Sequence, residues 1–575
     1  MRKISLAFIC CILFFTFCSQ PERAPEEVRV RLEIDPDNLS PVSYNNGAAL
    51  QIINLLFQSL LSADLGTDEI KPFLAAEMPG IVQQDSITLF TYTIREEATW
   101  SNGSPVTARD VTFTLKVLKA PLLNNESMKP QVEFIKDIRV DEQNDRQFTL
   151  VCAGFAPEME LLTGDYFILP AYLYDPENLL LHLRVADLST DLSELENDEK
   201  LKAFAVKFNS PTFGREPKLL QGSAGYTLEN WTNGQYLTLV RKKDWWGNTT
   251  SNTQHLTAIP ERISFQVIPD ITTSLLALKN RQLDVLENIP AAEFNQLKQD
   301  KSFLQDYALH APDAYEFIYA GLNTRLPKFS DKRTRQAIAY LLDADNLIKV
   351  SQQGYATPTV GPIPPSVDQF YNTSLTPYRF SANKATALLK KAGWQQEQNG
   401  WYKTINGRKE QLTIEANYRA GNTSYENAAI VLQQNAAKLN IPVTVQSMEN
   451  SLLSEKLKQH DFDLYFRSLS GNPFVFNFKP LFHSAYAVSG GLNYTGFGTP
   501  ESDQILDQIN STVSSEAEKA KLLKRLQEIL YEEAAFISLY YQKDRLAVHR
   551  RFGNLKVSGL KPNYDVSAFT LKEGK

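Results

Sequence analysis

Apolar residues follow two different spacings in the first part of the chain. Residues 28–34 alternate between apolar and polar side chains, which is typical of a strand with one buried face. Over residues 48–63 apolar positions recur every three or four residues, which predicts a helix with a wide buried face. Residues 87–95 predict another strand, and 134–140 with 147–152 predict a β-hairpin. Strands and helices are therefore mixed from the start of the chain.

A strand end, a turn and a helix start all fall between Trp100 and Val111. Asn102-Gly103 supplies a turn that tolerates a positive φ. Thr107 and Asp110, three residues apart, are typical of a capping box, and apolar residues at helical spacing follow them. Taken alone, this pattern indicates only a strand-turn-helix joint of an α/β domain.

The second half of the chain favours a parallel sheet. Residues 412–414, 424–439 and 443–445 predict a strand, a helix and a strand, which is the order of a βαβ unit. Asp331 is placed to cap another helix, and a helix over 385–393 closes with lysines and a glycine, as the helix dipole and the C-cap favour. The predicted fold class is α/β.

Length and composition exclude some classes of protein. With 575 residues the chain is too long for one core and has room for about three or four domain-sized units. Its 43% hydrophobic and 22% charged residues are ordinary for a folded protein. A net charge of -7 without a basic block argues against a nucleic-acid partner.

Chemical motifs are scarce. The six histidines are scattered without the spacing of a helical metal site, and neither a phosphate-binding loop nor a Gly-x-Ser-x-Gly elbow occurs. Cys152 follows an apolar run and is expected to be a buried, small apolar residue and not a nucleophile. The sequence therefore predicts no enzyme, no catalytic residue, no cofactor and no metal site.

The N-terminus has the layout of an export signal. Two basic residues precede an apolar segment that is too short for a permanent membrane span. We interpret residues 1–17 as a signal peptide, Cys18 as a lipidation site and residues 18–26 as a flexible tether. Phe17 departs from the small residue that usually precedes a lipidated cysteine, so a plain signal peptide and an uncleaved anchor are the alternatives.

Several blocks of the sequence resemble, in order, the family 5 extracellular solute-binding proteins of bacteria, the peptide-type receptors of ABC importers. The blocks are Trp100–Val111 (Trp-Ser-Asn-Gly-Ser-Pro-Val-Thr-Ala-Arg-Asp-Val), Phe167–Pro170, Gly222–Tyr226, Arg241–Trp246, Leu278–Asp284, Leu322–Tyr340 and Ile537–Tyr541. The resemblance covers about residues 28 to 575. Arg281 stands where the family usually has a glycine, and we expect Asn280 to take any positive φ that this turn needs.

The resemblance implies a two-lobed periplasmic-binding-protein fold of type II, which closes by a hinge and carries an extra third domain. The implied boundaries are 27–47, 209–312 and 541–575 for the first lobe, 48–208 for the extra domain of that lobe, and 313–540 for the second lobe.

The resemblance also implies where the ligand binds. In many peptide receptors an aspartate in the segment after "Phe-Asp-Leu" pairs with the amino terminus of the peptide, and here Asn472 stands near that position. An asparagine cannot neutralise an ammonium group, and a charge-assisted hydrogen bond contributes about 1.5–3 kcal/mol against about 1 for a neutral one. If Asn472 replaces the aspartate, peptides with a blocked amino terminus would therefore bind as well as free peptides. Arg467, if it faces the cleft, would suit an anion. The predicted ligand-binding residues are Tyr44, Arg467, Ser468, Ser470, Asn472 and Phe474.

Three simpler interpretations of this segment stay open: the alignment is displaced by a few residues, Asn472 forms only a turn, or Arg467 is a surface cation. The main hypothesis is a monomeric, envelope-located receptor that hands peptides or similar solutes to an ABC permease. The alternatives are a receptor for an oligosaccharide, an anionic metabolite or a metal chelate, and an envelope enzyme or sensor partner built on the same fold.

Overall fold

The computed structural model describes residues 27–572 apart from 190, 191, 251, 252, 254, 512 and 514. The predicted signal peptide, the tether and the lipidation site at Cys18 lie outside the described residues. None of the helices in the described ranges combines the length and the apolar character that crossing a bilayer requires.

Strands and helices alternate along the described chain. The strands are β1 Glu27–Leu32, β2 Leu61–Asp64, β3 Glu69–Pro72, β4 Gly80–Gln84, β5 Ile87–Thr93, β6 Ile135–Val140, β7 Gln147–Ala153, β8 Tyr226–Thr232, β9 Tyr236–Arg241, β10 Arg262–Val267, β11 Val285–Leu286, β12 Tyr307–His310, β13 Asp313–Leu322, β14 Ala356–Pro358, β15 Gln395–Glu397, β16 Gly400–Ile405, β17 Arg408–Gln411, β18 Ile414–Arg419, β19 Val443–Met448, β20 Leu464–Ser470, β21 Phe536–Lys543, β22 Leu546–His549, β23 Phe552–Gly553 and β24 Thr570–Leu571. The helices are α1 Gly47–Leu56, α2 Ala108–Lys119, α3 Lys129–Val132, α4 Met159–Leu162, α5 Ala171–Tyr174, α6 Glu199–Phe208, α7 Ile271–Lys279, α8 Ala291–Gln299, α9 Phe303–Asp306, α10 Lys332–Ala339, α11 Ala344–Val350, α12 Ala382–Lys391, α13 Thr423–Ala437, α14 Asn450–Lys458, α15 Lys479–Phe482, α16 Pro500–Ser511 and α17 Glu516–Glu533.

A seven-stranded mixed sheet organises one side of the molecule. Its strand order is β12-β22-β11-β1-β10-β9-β8, and β1 lies parallel to β10 and β11. A four-stranded antiparallel sheet, β4-β5-β7-β6, packs into the same hydrophobic core: Val28 and Phe265 of the larger sheet share it with Phe90 and Phe148 of the smaller one. These two sheets therefore form one packed unit.

A six-stranded sheet organises the other side, in the order β14-β21-β13-β20-β18-β19. Its central strand β13 is apolar on both faces. Ile318 and Ala320 belong to one hydrophobic core, whereas Phe317 and Tyr319 belong to another. Because successive strand residues point to opposite faces, this sheet is covered on both sides and contributes to two cores.

The chain crosses between the two large sheets at two adjacent places. One crossing joins β12 to β13, and the other joins β21 to β22. The crossings are tied together where they pass, because Asp544 N–H donates to the Pro312 carbonyl at 3.0 Å and Lys543 Nζ lies 2.8 Å from Asp313 Oδ1. Two short, adjacent connections are the arrangement that permits rotation of one packed unit against another.

Most of the predicted local signals are confirmed. Thr107 and Asp110 form the capping box of α2, and Asp331 caps α10. The hairpin predicted from residue 134 is β6-β7, and β18 and β19 pair in parallel across α13. Cys152 is fully buried, and burial raises the pKa of its thiol to about 12, so it behaves as a small core residue.

Two expectations are wrong. The helix predicted to reach residue 63 ends at Leu56, because the following segment pairs with other strands: Ser59 bridges to Phe167, and β2 pairs with β3. The positive φ after α7 belongs to Arg281 (58°), whereas Asn280 has a φ of -81°. The guanidinium of Arg281 is held by Asp306 at 2.7 Å, which anchors the side chain of this left-handed residue.

Candidate ligand-binding site

A cavity of about 570 Å³ lies between the two large sheets. One wall comes from the segments that surround the seven-stranded sheet, mainly residues 41–73, 161–167 and 559–567. The facing wall comes from the six-stranded sheet, with residues 314–316 of β13 and residues 470–474 at and just after the end of β20. Its volume falls within the 300–1,000 Å³ typical of small-molecule sites, so it can hold a compact solute.

The structure brings together four of the six residues predicted to bind ligand. Tyr44, Ser470, Asn472 and Phe474 all line the cavity. Tyr44 reaches it from the loop before α1, and the other three reach it from the end of β20. Residues more than 400 positions apart therefore face one space. Their contact with a ligand stays a prediction.

Asn472 also has a local structural role. Its Oδ1 accepts hydrogen bonds from the N–H groups of Phe474 and Val475, both at 2.8 Å. The residue thus stabilises the turn after β20 while it lines the cavity. A side chain with two backbone donors on its carbonyl oxygen has its amide group left to offer a ligand.

Arg467 and Ser468 do not line the cavity. The Arg467 guanidinium donates to Ser454 Oγ on α14 at 3.1 Å and lies 5.9 Å from the ring centre of Tyr494. Ser468 Oγ is hydrogen-bonded to the Tyr425 hydroxyl at 2.8 Å. Adjacent residues of a strand point to opposite faces, so these two side chains lie on opposite sides of the six-stranded sheet.

Two cavity carboxylates were not predicted from the sequence. Asp165 precedes the Phe167–Pro170 block, and Glu316 lies in β13. Among the described residues, none forms a hydrogen bond or ion pair with either carboxylate. Asp165 is an exposed residue on the cavity wall, and desolvation by the surrounding protein raises the pKa of its carboxyl to about 6.

The other charged groups of the cavity are engaged. Lys556 lies 3.4 Å from Asp64, Lys561 lies 3.0 Å from Asp544, and Asp565 accepts from Ser567 and Thr257. The pKa of His255 is lowered by burial, so its imidazole is neutral at pH 7. Among the described residues, the cavity charges left without a partner are therefore those of Asp165 and Glu316.

A family model settles which class of protein this is. Residues 69–486 match the model described as bacterial extracellular solute-binding proteins, family 5 Middle. The chain belongs to this family. Members of the family are transport receptors, and their two-lobed type II fold accounts for the two packed units and the double crossing between them.

The individual relatives are distant but match along nearly the whole chain. The oligopeptide-binding protein AppA of Bacillus subtilis is 23% identical over 93% of this chain and 90% of its own length. The nickel-binding periplasmic protein of Escherichia coli is 22% identical, covering 96% of each chain.

Solved structures show the same fold. The AppA structure in complex with a nonapeptide has a TM-score of 0.71 at 20% identity, covering 95% of this chain and 99% of that one. NikA from Brucella suis in complex with Fe(III)-EDTA has a TM-score of 0.75 at 18% identity, covering 95% and 100%.

In this family 5 protein, the first lobe is the unit with the seven-stranded sheet and the second lobe is the unit with the six-stranded sheet. A buried ion pair joins the lobes across the cleft. Lys519 Nζ on α17 lies 2.8 Å from Oε1 of Glu158, which precedes α4. Their side chains are 2% and 8% exposed, and the ammonium also lies 5.0 Å from the ring centre of Phe370 and 5.4 Å from that of Phe476. Because its two residues belong to different lobes, separation of the lobes would break this contact.

Proposed function

We propose that the protein captures a short peptide or a similar small solute in the cell envelope, closes around it and delivers it to an ABC permease. The observation that carries the proposal is the cavity of about 570 Å³ between two lobes that are joined by two short crossings. A ligand that contacts both walls binds the closed form better than the open form, and it therefore shifts the population toward closure. A permease that recognises the closed form would respond to the loaded receptor.

Peptide is the ligand class that the cavity chemistry favours. An anionic metabolite is disfavoured, because Arg467 lies outside the cavity and the unpaired cavity charges are the carboxylates of Asp165 and Glu316. Named relatives include an oligopeptide-binding protein and a nickel-binding protein. In the described residues no three His, Cys, Asp or Glu side chains are grouped to hold a metal ion, which gives a bare cation no ready-made ligand set.

We further infer that the protein is a monomeric receptor and not an enzyme, and that it is exported and anchored through a lipid at Cys18. Several acyl chains on one cysteine would hold the protein stably at a membrane, whereas a single chain is marginal. We also propose that the two lobes and the extra domain have the boundaries predicted from the sequence.

Thermal-shift screening followed by calorimetry tests the function. We expect a subset of di- to hexapeptides to raise the melting temperature, because a ligand at a hundred times its dissociation constant adds about 2.7 kcal/mol of stability. Oligosaccharides, organic acids and metal chelates form the comparison arms. Stabilisation by one of those classes and by no peptide would replace the peptide assignment, and a folded protein that responds to no small solute would contradict the receptor function.

A further inference from the structure

The Asp165 carboxylate is the least explained polar group of the cavity. It lies on the cavity wall, it is exposed to solvent, and no described residue donates to it or neutralises it. An exposed carboxylate is hydrated, and a charged donor from a ligand can replace that water. A carboxylate that is left open toward a ligand cavity is therefore placed to receive a donor from the ligand.

Gln58 provides a second open acceptor on the same wall. Its side chain is buried, with 6% of the residue exposed, and its Oε1 has no hydrogen-bond partner among the described residues. Backbone hydrogen bonds hold its segment beside that of Asp165: Ile168 N–H donates to the Gln58 carbonyl at 2.9 Å, and Leu61 N–H donates to the Gly164 carbonyl at 3.0 Å. Backbone pairing thus holds the two segments that carry these acceptors next to each other.

The groups that face Asp165 supply no positive charge. Tyr44 comes from the loop before α1, and its phenol pKa is raised by burial and then by the charge of Asp165, so it stays a neutral hydroxyl. The remaining titratable groups of the cavity lining are Asp64, Tyr166, Tyr226, His255, Tyr315, Glu316, Lys561, Tyr564 and Asp565. Of these, the cation Lys561 is already paired with Asp544. No unpaired cation of the described residues therefore lies in the cavity to neutralise Asp165. A solute can supply that cation.

We propose that Asp165, together with Gln58 Oε1 and the Tyr44 hydroxyl on the same cavity wall, binds a primary ammonium group of the solute. This inference rests on the proposed function. An ammonium group has three donors, and a carboxylate with one or two neutral acceptors satisfies them. Recognition of the amine thereby moves from position 472, where a neutral asparagine stands, to the opposite wall of the cavity. It reverses the expectation that blocked peptides bind as well as free ones.

The test compares Asp165→Asn with Glu316→Gln, a matched loss of charge at the other unpaired cavity carboxylate. Calorimetry uses alanine-based tri- to pentapeptides without lysine, the same peptides acetylated at the amino terminus, and the diamines putrescine and cadaverine. For the wild type we expect free amines to bind about 10- to 100-fold more tightly than acetylated forms, and we expect D165N but not E316Q to remove that preference.

The pH dependence provides an independent readout. Because the amine binds the ionised carboxylate and protons compete for it, wild-type affinity should fall about tenfold per unit as pH drops below about 6, whereas that of D165N should stay level. The melting temperature of ligand-free D165N at pH 7.5 should stay close to that of the wild type, because the carboxylate is exposed and no described residue pairs with it. This control separates lost recognition from lost folding.

Each outcome supports or overturns either the ammonium site or the peptide assignment. If diamines bind through Asp165 and peptides do not, the ammonium site stands and the peptide assignment falls. If peptides bind but D165N keeps the preference for free amines, or E316Q loses it instead, the inference is overturned and the proposed function stands. If neither the peptides nor the diamines bind to the folded wild type, the ammonium site and the peptide assignment are both overturned, and the receptor function is decided by the other solute classes.

Discussion

Replacing Asp284 by alanine should destabilise the folded protein by about 3–5 kcal/mol, the cost of breaking a buried ion pair from one side. Asp284 is fully buried between two arginines from distant parts of the chain. Its Oδ2 accepts from Arg29 Nε at 3.1 Å and from Arg551 at 2.9 Å, and the Arg29 N–H donates to the same oxygen at 2.9 Å. Through these hydrogen bonds the carboxylate links β1 and the segment after β22 to the turn before β11. Denaturant unfolding followed by tryptophan fluorescence measures the loss.

The matched control is Glu177→Ala, which breaks an exposed ion pair with Lys207 and should cost at most about 1 kcal/mol. Acid should act on the wild type through the same group. Burial raises the pKa of Asp284, but the hydrogen bonds and charges of Arg551 and Arg29 outweigh it and hold the pKa below its usual value. Its contribution is therefore present above about pH 4, the unfolded pKa, and is lost as pH falls through the folded pKa. Equal losses for D284A and E177A would contradict this assignment.

Replacing Lys519 by methionine should weaken ligand binding about 100-fold or more while the melting temperature of the ligand-free protein changes little. In the closed form the substitution leaves Glu158 buried without its cation, and Glu158 Oε2 already has no hydrogen-bond partner among the described residues. Breaking such a pair from one side costs about 3–5 kcal/mol, and each 1.4 kcal/mol is a factor of ten in affinity. When the lobes separate, water reaches Glu158 and the cost disappears.

Lys521→Met is the control, since it makes the same change at an exposed position of the same helix. The double variant K519M/E158Q should recover part of the affinity, because removing both charges leaves no isolated buried ion. Calorimetry with a peptide found by screening measures all four proteins. If K519M lowers the melting temperature of the ligand-free protein and leaves the affinity unchanged, the pair belongs to the core of the fold and does not report closure.

Local sequence signals predicted the elements well, because the physics behind them is local. Thr107 and Asp110 are three residues apart, and the capping box they form needs nothing from the rest of the chain. The same holds for the cap at Asp331 and for the alternation of β1. The helix predicted to reach residue 63 failed because Ser59 pairs with Phe167, a partner more than a hundred residues away.

The candidate site likewise contains residues whose placement follows from local sequence and one residue whose placement does not. Arg467 and Ser468 are neighbours in β20, so they could never both face one cavity, and the strand alternation held that information in advance. Asp165 gave no such signal. Its carboxylate is distinctive because it shares one cavity with Tyr44 and residues 559–567, and nothing in the sequence next to it records that these segments meet.

Calorimetric titration of a cavity-filled variant tests most directly whether solute binds between the lobes. Ser470 lines the cavity at the end of β20, so Ser470→Trp places an indole in the space that a ligand needs. Val206→Trp adds the same ring at a 77% exposed position of α6, away from the cavity lining. With the peptide that gives the largest thermal shift, wild type and V206W should bind one equivalent and S470W should give no binding heat. Binding by folded S470W within about twofold of the wild-type affinity would contradict the placement of the ligand in this cavity.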